Sequence, residues 1–218
     1  MEFKFTSTNS FCISILSHKL RTEKMQKRFK EFNLDICIWN ASTKETLTDN
    51  FAYYLNDGQK GCAQSHFNIW KHIINNNLEY ALILEDDACF DKEFYKKVND
   101  FEKDIKDPDW DAMFLNASEE INITNTWTLV NEQYMAAGYI LSNRGARKLI
   151  DMFSSRLFAA DWMTSRLQMY GHSYSYFPWI IIQEGKDTTI GGQEHINEDY
   201  AKVVRLLNEI NYSLDNYI

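Results

Sequence analysis

The feature that most constrains the fold is an apolar segment that ends in three consecutive carboxylates. Residues 80–84 form a continuous apolar strand pattern, and Glu85, Asp86 and Asp87 follow it directly. Two more short apolar segments precede it, and an amphipathic helical pattern separates each segment from the next. This alternation predicts an α/β fold in which helices cover both faces of a mainly parallel sheet. The strands are expected at residues 11–16, 36–39 and 80–84, and the helices at residues 22–32 and from Gly61 to about residue 75.

The rest of the chain extends this pattern and gives no sign of a second domain. Its 218 residues fit a single domain, residues 1–218. Residues 40–59 are polar and predict a loop. Ser142 is expected to cap one helix, and Asp161 another that runs to Tyr170. Further strands are expected at residues 111–115, 139–141 and 174–182, and a last amphipathic helix at residues 197–212.

Composition and charge exclude several classes of protein. Apolar residues make up 44% of the chain, which excludes wholesale disorder. A net charge of −8 argues against a nucleic-acid binder with a broad basic surface. The four cysteines form no CxxC pair, so we interpret them as buried thiols of a reducing compartment. Because the sequence also shows no signal-peptide pattern and no long apolar run, we predict a cytoplasmic protein.

The three carboxylates predict either a site for a divalent cation or a solvated loop. In open α/β sheets, ligands bind beyond the carboxyl ends of the strands. Alternation along an extended chain would place Glu85 and Asp87 on one side and Asp86 on the other. Adjacent like charges repel unless they share a cation or are fully solvated, and Mg²⁺ or Mn²⁺ combines carboxylate with phosphate oxygens. In the alternative, Asp86 or Asp87 only caps the next helix.

Two sequence blocks make the acidic segment more specific. The first reads Gly61-Cys62-Ala63-Gln64-Ser65-His66, and the second, one helix later, reads Leu82-Ile83-Leu84-Glu85-Asp86-Asp87. Together they resemble the signature of glycosyltransferase family 25, which includes lipopolysaccharide and collagen galactosyltransferases. Segments around Gly138 and Asp161 are similar to later family motifs, so the resemblance covers roughly residues 11–192.

The resemblance implies a fold and a reaction. The fold is of GT-A type, a Rossmann-like mixed, mainly parallel sheet with helices on both faces. The reaction is inverting transfer of a hexose, with galactose expected, from a UDP-sugar to a hydroxyl of a saccharide or glycoconjugate, with Mn²⁺ or Mg²⁺ stabilising the leaving diphosphate. The chain departs from the family pattern at Ser14-Ile15-Leu16, where Ile-Asn-Leu is usual, and at Thr188, where Ser is usual. Both departures bear on the identity of the donor.

The resemblance also implies metal ligands and a general base. Asp87 is the expected direct ligand, with Glu85 second and His195, past the last strand, as a late ligand. The acceptor hydroxyl needs a base within hydrogen-bond reach, and Asp161 is the candidate. Its alternative role is a plain helix cap, which Asn would also serve.

Residues of several segments are expected at the donor. Ser65 and His66 are placed at the start of a helix, where backbone N–H groups favour anions. Asp187 either contacts the donor sugar or caps a turn. Arg21 is expected to meet phosphate, while the basic residues around it either contact an anionic membrane surface or form a solvated helix face. The full set of expected donor contacts is Arg21, Ser65, His66, Glu85, Asp86, Gln183 and Asp187.

Two other functions stay open on the sequence alone. A Mg²⁺-dependent phosphohydrolase would use the same acids, but it needs a further carboxylate or histidine cluster that the sequence does not make evident. A catalytically inactive sugar- or protein-binding module would keep the fold without the chemistry. Residues 40–59 and 119–133 are expected to form the acceptor loops, and the oligomeric state is left undefined.

Overall fold

The computed structural model describes residues 2–116, 125–130, 134, 136–184 and 193–218, with side chains in the last segment described at Glu198 and from Tyr200 onwards. Its regular elements alternate along the chain as the sequence predicts. The strands are β1 (Ser10–Ser14), β2 (Cys37–Asn40), β3 (Tyr80–Glu85), β4 (Ala88–Phe90), β5 (Ala112–Phe114), β6 (Thr126–Leu129), β7 (Gly138–Ser142), β8 (Ser173–Phe177) and β9 (Ile181–Gln183). The helices are α1 (Lys19–Glu31), α2 (Asp57–Asn75), α3 (Phe94–Asn99), α4 (Phe101–Asp104), α5 (Asn143–Phe153), α6 (Ala160–Ser165) and α7 (Gln193–Glu209).

A mixed seven-stranded sheet forms the centre of the described structure. Its order is β2–β1–β3–β7–β5–β8–β6. The pairs β1–β2, β1–β3 and β5–β8 are parallel, whereas β7 is antiparallel to β3 and β5, and β6 to β8. Five strands therefore share one direction, which confirms the predicted mixed, mostly parallel sheet. A separate antiparallel pair joins β4 to β9.

Helices cover both faces of this sheet, as predicted. Along β3 the side chains alternate between two cores: Leu82 and Leu84 pack with α1, α3 and α4, and Ala81 and Ile83 pack with α2, α5 and α6. These four β3 side chains are fully buried. Burial on both faces explains why the strand reads as a continuous apolar run rather than as an alternating one.

The largest difference from the sequence prediction is the start of α2. The helix begins at Asp57 instead of Gly61, because Asn56 and Gln59 form a reciprocal cap. The Asn56 side chain accepts a hydrogen bond from Gln59 N at 2.8 Å, and the Gln59 side chain accepts one from Asn56 N at 3.0 Å. The extra helical turn moves every later motif residue away from the helix start.

Of three smaller predictions, one is refined, one is wrong and one is confirmed. Residues 174–182 form two strands, separated by a turn with a cis peptide between Phe177 and Pro178. The cap of α6 is Ala159, and Asp161 lies in the first turn, so its predicted capping role is wrong. Ser142 does cap α5, accepting a hydrogen bond from Gly145 N at 3.0 Å. Across the described ranges, no helix combines the length and apolarity that crossing a bilayer requires.

Candidate active site

A cavity of about 360 Å³ opens where β1, β2 and β3 end. These strands are parallel neighbours, so their carboxyl ends meet at one edge of the sheet, where ligands bind in open α/β sheets. The lining comprises Ile13, Ser14, Ile15, Arg21, Ala41, Ser42, Thr43, Lys44, Glu45, Asp57, Gly58, Cys62, Glu85, Asp86, Asp87 and Gln183. The three consecutive carboxylates therefore face a cavity instead of forming a solvated loop.

The carboxylates do not alternate as an extended chain would require. β3 ends at Glu85, and a turn leads directly into β4, so the alternation stops there. Asp86 and Asp87 share the Arg21 guanidinium, with N–O distances of 3.0 and 3.5 Å. Glu85 turns instead toward α2. The alternative of a helix cap is also wrong, because β4 and not a helix follows the turn.

Asp86 is held from two sides. Its Oδ2 accepts a hydrogen bond from the Ser14 hydroxyl at 2.7 Å, and its Oδ1 faces Arg21. Burial raises the pKa of the Asp86 carboxyl, while the Ser14 hydrogen bond and the Arg21 charge act in the opposite direction. Ser14 stands where the family pattern has another residue, and it contacts the acid directly.

The surroundings of Asp87 disfavour its charged form. Burial, followed by the negative charges of Glu85 and Asp86, raises the pKa of its carboxyl to about 7, although Arg21 acts in the opposite direction. Its Oδ1 is buried and has no hydrogen-bond partner in the described ranges. A buried, unpartnered carboxylate oxygen beside two other acids fits the need for a bound cation.

The Gly61–His66 motif within α2 organises the loop that lines the cavity. The Ser65 hydroxyl accepts a hydrogen bond from Ser42 N at 2.8 Å and donates one to Gly61 O at 2.7 Å. The Gln64 side chain accepts a hydrogen bond from Thr48 N at 2.7 Å and donates one to the Thr46 carbonyl at 2.9 Å. Ser65 is fully buried and is not among the lining residues, so it positions the loop from behind.

His66 lies in the middle of α2, so its prediction at a helix start is wrong. The imidazole is fully buried. Its Nδ1 lies 2.8 Å from the Tyr139 hydroxyl, and its Nε2 lies 3.2 Å from Glu85 Oε1. It therefore contacts the acidic segment through Glu85 rather than through free backbone N–H groups.

Cys62 joins this cluster although the sequence prediction overlooked it. Cys62 Sγ lies 3.8 Å from Glu85 Oε1. One potential ligand atom from each of Cys62, His66 and Glu85 falls within 4.8 Å of the others. The i, i+4 spacing of Cys62 and His66, which puts both on one helix face, is the signal that would have found it. All four cysteines are free thiols, two of them buried.

Asp161 reaches the same region from α6. Its Oδ1 accepts a hydrogen bond from Trp162 N at 2.7 Å. Burial raises the pKa of the Asp161 carboxyl, and the negative charge of Glu85 raises it further, while the Trp162 hydrogen bond lowers it. Asp161 is not among the residues that line the cavity, and Glu85 affects it as a neighbouring negative charge.

Comparison with known sequences decides the family. Residues 7–164 match the profile described as Glycosyltransferase family 25 (LPS biosynthesis protein), which is well over half of the chain. The chain belongs to glycosyltransferase family 25. The family 25 match includes the Gly61–His66 block, the three acids and Asp161, and it stops before Gln183.

Relatives of the family 25 chain come from animals and bacteria. It is 27% identical over 175 residues to procollagen galactosyltransferase 1-B of Xenopus laevis, a match that covers 68% of this chain and 29% of that protein. It is 26% identical over 204 residues to lipooligosaccharide biosynthesis protein lic2B of Haemophilus influenzae, covering 81% and 76%. It is 31% identical over 166 residues to probable inactive glycosyltransferase 25 family member 3 of Rattus norvegicus, covering 64% and 29%. The chain thus spans less than a third of the procollagen galactosyltransferases it matches.

Of the remaining predicted site residues of this family 25 chain, one lies at the cavity and two lie outside the described residues. Gln183 lines the cavity, because β9 pairs with β4 and sets Gln183 opposite Ala88, just after the acids. Asp187 and the side chain of His195 lie outside the described residues.

Two of the basic residues near Arg21 make contacts within the fold. Arg28 is buried and donates a hydrogen bond to the Ala88 carbonyl, and Lys24 forms an ion pair with Glu184.

Proposed function

We propose that this chain transfers a hexose, galactose in the first instance, from a UDP-sugar to a hydroxyl of a saccharide or glycoconjugate, with inversion at the anomeric carbon. The single observation that carries the proposal is the cavity at the carboxyl ends of β1–β3, lined by Arg21 and the three acids, in a family 25 chain. The names of its relatives, procollagen galactosyltransferase and lipooligosaccharide biosynthesis protein, support the sugar and the acceptor class.

The acids fit a divalent cation, Mn²⁺ or Mg²⁺, held by Asp87 and Glu85 and, by resemblance, by His195. The support is the buried Oδ1 of Asp87, which has no partner among the described residues, and the raised pKa of that carboxyl. Carboxylate and phosphate oxygens together suit such a hard ion. When bound, the ion would act as a Lewis acid that stabilises charge on the departing diphosphate.

The side chains of the site then have separate tasks. Asp161 accepts the proton of the acceptor hydroxyl, whose oxygen forms the new bond to the anomeric carbon. The bond from that carbon to the diphosphate oxygen breaks, and its electron pair leaves with UDP. Arg21, between Asp86 and Asp87, is placed to pair with the phosphates, and Asp86 with a donor hydroxyl. Ser65 acts only by holding the loop.

Exposed aromatic rings support an acceptor made of sugar. Within residues 40–59, Tyr53 is 95% exposed and Tyr54 is 59% exposed, and the two rings contact each other edge to face. Ala52 N donates to the Leu157 carbonyl at 2.8 Å, which ties this segment to the start of α6. Trp162, next to Asp161, is also exposed.

An inactive binding module is the second candidate, favoured by the name of the rat relative, probable inactive glycosyltransferase 25 family member 3. The family match favours both transferase and module over a phosphohydrolase. Three measurements separate the candidates: UDP released during incubation with Mn²⁺ and each UDP-sugar, with and without saccharide acceptors; binding of the donor; and phosphate released from simple esters. We expect release from UDP-galactose. Donor binding without release from any sugar nucleotide would identify a module, and phosphate release from simple esters a phosphohydrolase.

A further inference from the structure

A chain of four polar side chains runs from the interior of α2 to the cavity. The Trp70 indole nitrogen lies 2.9 Å from the Tyr139 hydroxyl, this hydroxyl lies 2.8 Å from His66 Nδ1, and His66 Nε2 lies 3.2 Å from Glu85 Oε1. Trp70, Tyr139 and His66 are all 0% exposed, and Glu85 lines the cavity. Glu85 therefore connects the other three side chains of this chain of contacts to the cavity.

The direction of each hydrogen bond follows from the first donor. An indole N–H can only donate, so the Tyr139 oxygen accepts from Trp70. The single proton of that hydroxyl then has one acceptor within the described part of the chain, His66 Nδ1. Nδ1 is therefore unprotonated, and Nε2 carries the ring proton and donates it to Glu85 Oε1.

The opposite tautomer leaves two groups unsatisfied. A proton on Nδ1 would direct two donors at the Tyr139 oxygen and leave the hydroxyl proton without an acceptor. It would also turn the Nε2 lone pair toward the Glu85 carboxylate. Because His66 and Tyr139 are fully buried, water cannot provide the missing acceptor for the Tyr139 hydroxyl proton.

We propose that Trp70 and Tyr139 are positioning residues, which act through His66 to fix the Glu85 carboxylate at the cavity. Oε1 is held by His66, while no hydrogen bond to Oε2 is seen in the described residues, so one oxygen is fixed and the other is left for the proposed cation and donor. The role at the donor rests on the proposed function. The direction of the hydrogen bonds does not.

Tyr80 provides a matched control for Tyr139. Both are tyrosines of neighbouring strands, buried, and with a hydroxyl that makes two hydrogen bonds; those of Tyr80 go to the backbone N and O of Lys4, at 2.8 and 3.2 Å. Tyr80 begins β3 and Glu85 ends it, so the control hydroxyl lies away from the cavity. Each variant keeps its aromatic ring and loses one hydroxyl, so the donor KM is compared per folded molecule.

The kinetic test compares Tyr139→Phe and Tyr80→Phe, each alone and combined with Glu85→Gln, using UDP-galactose. We expect Tyr139→Phe to raise the donor KM about tenfold, the effect of roughly one hydrogen bond, and Tyr80→Phe to leave it unchanged. In the Glu85→Gln background the effect of Tyr139→Phe should largely disappear. Equal donor KM values for the two Phe variants, or fully additive effects with Glu85→Gln, would overturn the proposal.

A spectroscopic test does not depend on activity. In the full chain labelled with ¹⁵N-histidine, His66→Gln assigns the signal of His66 among the five histidines. We expect an unprotonated Nδ1 and a protonated Nε2, and in Tyr139→Phe a shift of the Nδ1 resonance alone. A protonated Nδ1 would refute the arrangement even if transfer is observed. If the wild type transfers no sugar, this measurement still decides the hydrogen-bond directions, and only the proposed function has failed.

Discussion

At the scale of the single residue, the protonation of Asp161 is expected to control the rate. A base must be unprotonated to accept the proton of the acceptor hydroxyl. Since burial and Glu85 raise the pKa of Asp161, the residue takes up its own proton at a higher pH than an exposed aspartate does. We therefore expect kcat/KM to fall as the pH is lowered through that raised pKa, measured with saturating donor.

The Asp161→Asn variant checks the assignment. Asn keeps the oxygen that accepts from Trp162 N, so the start of α6 should be preserved. It cannot accept the acceptor's proton, and kcat should fall by about 10²–10⁴ with little change in donor KM. If the variant kept the wild-type kcat and the same fall of kcat/KM at low pH, Asp161 would have only a structural role.

The sequence reveals site residues that lie close together along the chain, and it does not reveal those whose contacts join distant segments. The three acids follow one another, and Cys62 and His66 are one helical turn apart, so a linear pattern shows them. The contacts Ser14–Asp86 and His66–Tyr139 span 72 and 73 residues and depend on strand pairing. Nothing in the local sequence of Tyr139 distinguishes a positioning hydroxyl from a core aromatic ring.

At the scale of the element, Gly61 sets how closely α2 approaches the loop beside the cavity. A Cβ at this position would lie 2.3 Å from the Ser42 carbonyl oxygen, a backbone atom that can move only with its loop. Residues 42–45 line the cavity. We expect Gly61→Ala to displace this loop, to lower the free energy of unfolding by about 1–3 kcal/mol and to raise the donor KM.

Gly145→Ala is the matched control for this change. Its added Cβ would lie 2.4 Å from the backbone oxygen of Asp111, the residue before β5, and neither residue is part of the cavity lining. Thermal unfolding should show a similar loss of stability, while the donor KM per folded molecule stays at the wild-type value. If both variants change the donor KM alike, the effect of Gly61→Ala is a general loss of stability.

Elements with a clear local pattern of apolar residues could be predicted from the sequence. Short strands that are stabilised by pairing with a distant strand could not. The apolar run of β3 and the helical patterns of α1, α2 and α5 depend on local sequence. The early start of α2 was also readable, because Asn56 and Gln59 have the spacing of a capping box. β4 and β9 are only three residues long and are stabilised by each other, and their pairing is what brings Gln183 to the acids.

At the scale of the whole molecule, the buried charge of Asp87 lowers the stability of the fold when no metal ion is bound. The unfolded chain ionises Asp87 near its ordinary value of 3.8, whereas the folded chain does so at about 7. The folded state therefore binds the proton more tightly, so this residue's contribution to stability declines as the pH rises from 4 to 7. Above pH 7 the full penalty of a buried charge remains.

Asp87→Asn tests this cost and the proposed cation together. The neutral amide removes the buried charge, so without metal at pH 8 we expect the variant to be more stable by about 2 kcal/mol, a rise in Tm of roughly 4–8 °C. At pH 4 the difference should be small. Mn²⁺ should raise the Tm of the wild type, because a ligand that binds only the folded state stabilises it, and should leave that of the variant nearly unchanged. Equal responses to Mn²⁺ would mean that Asp87 does not hold the ion, and a less stable variant at pH 8 would mean that its charge is compensated inside the fold.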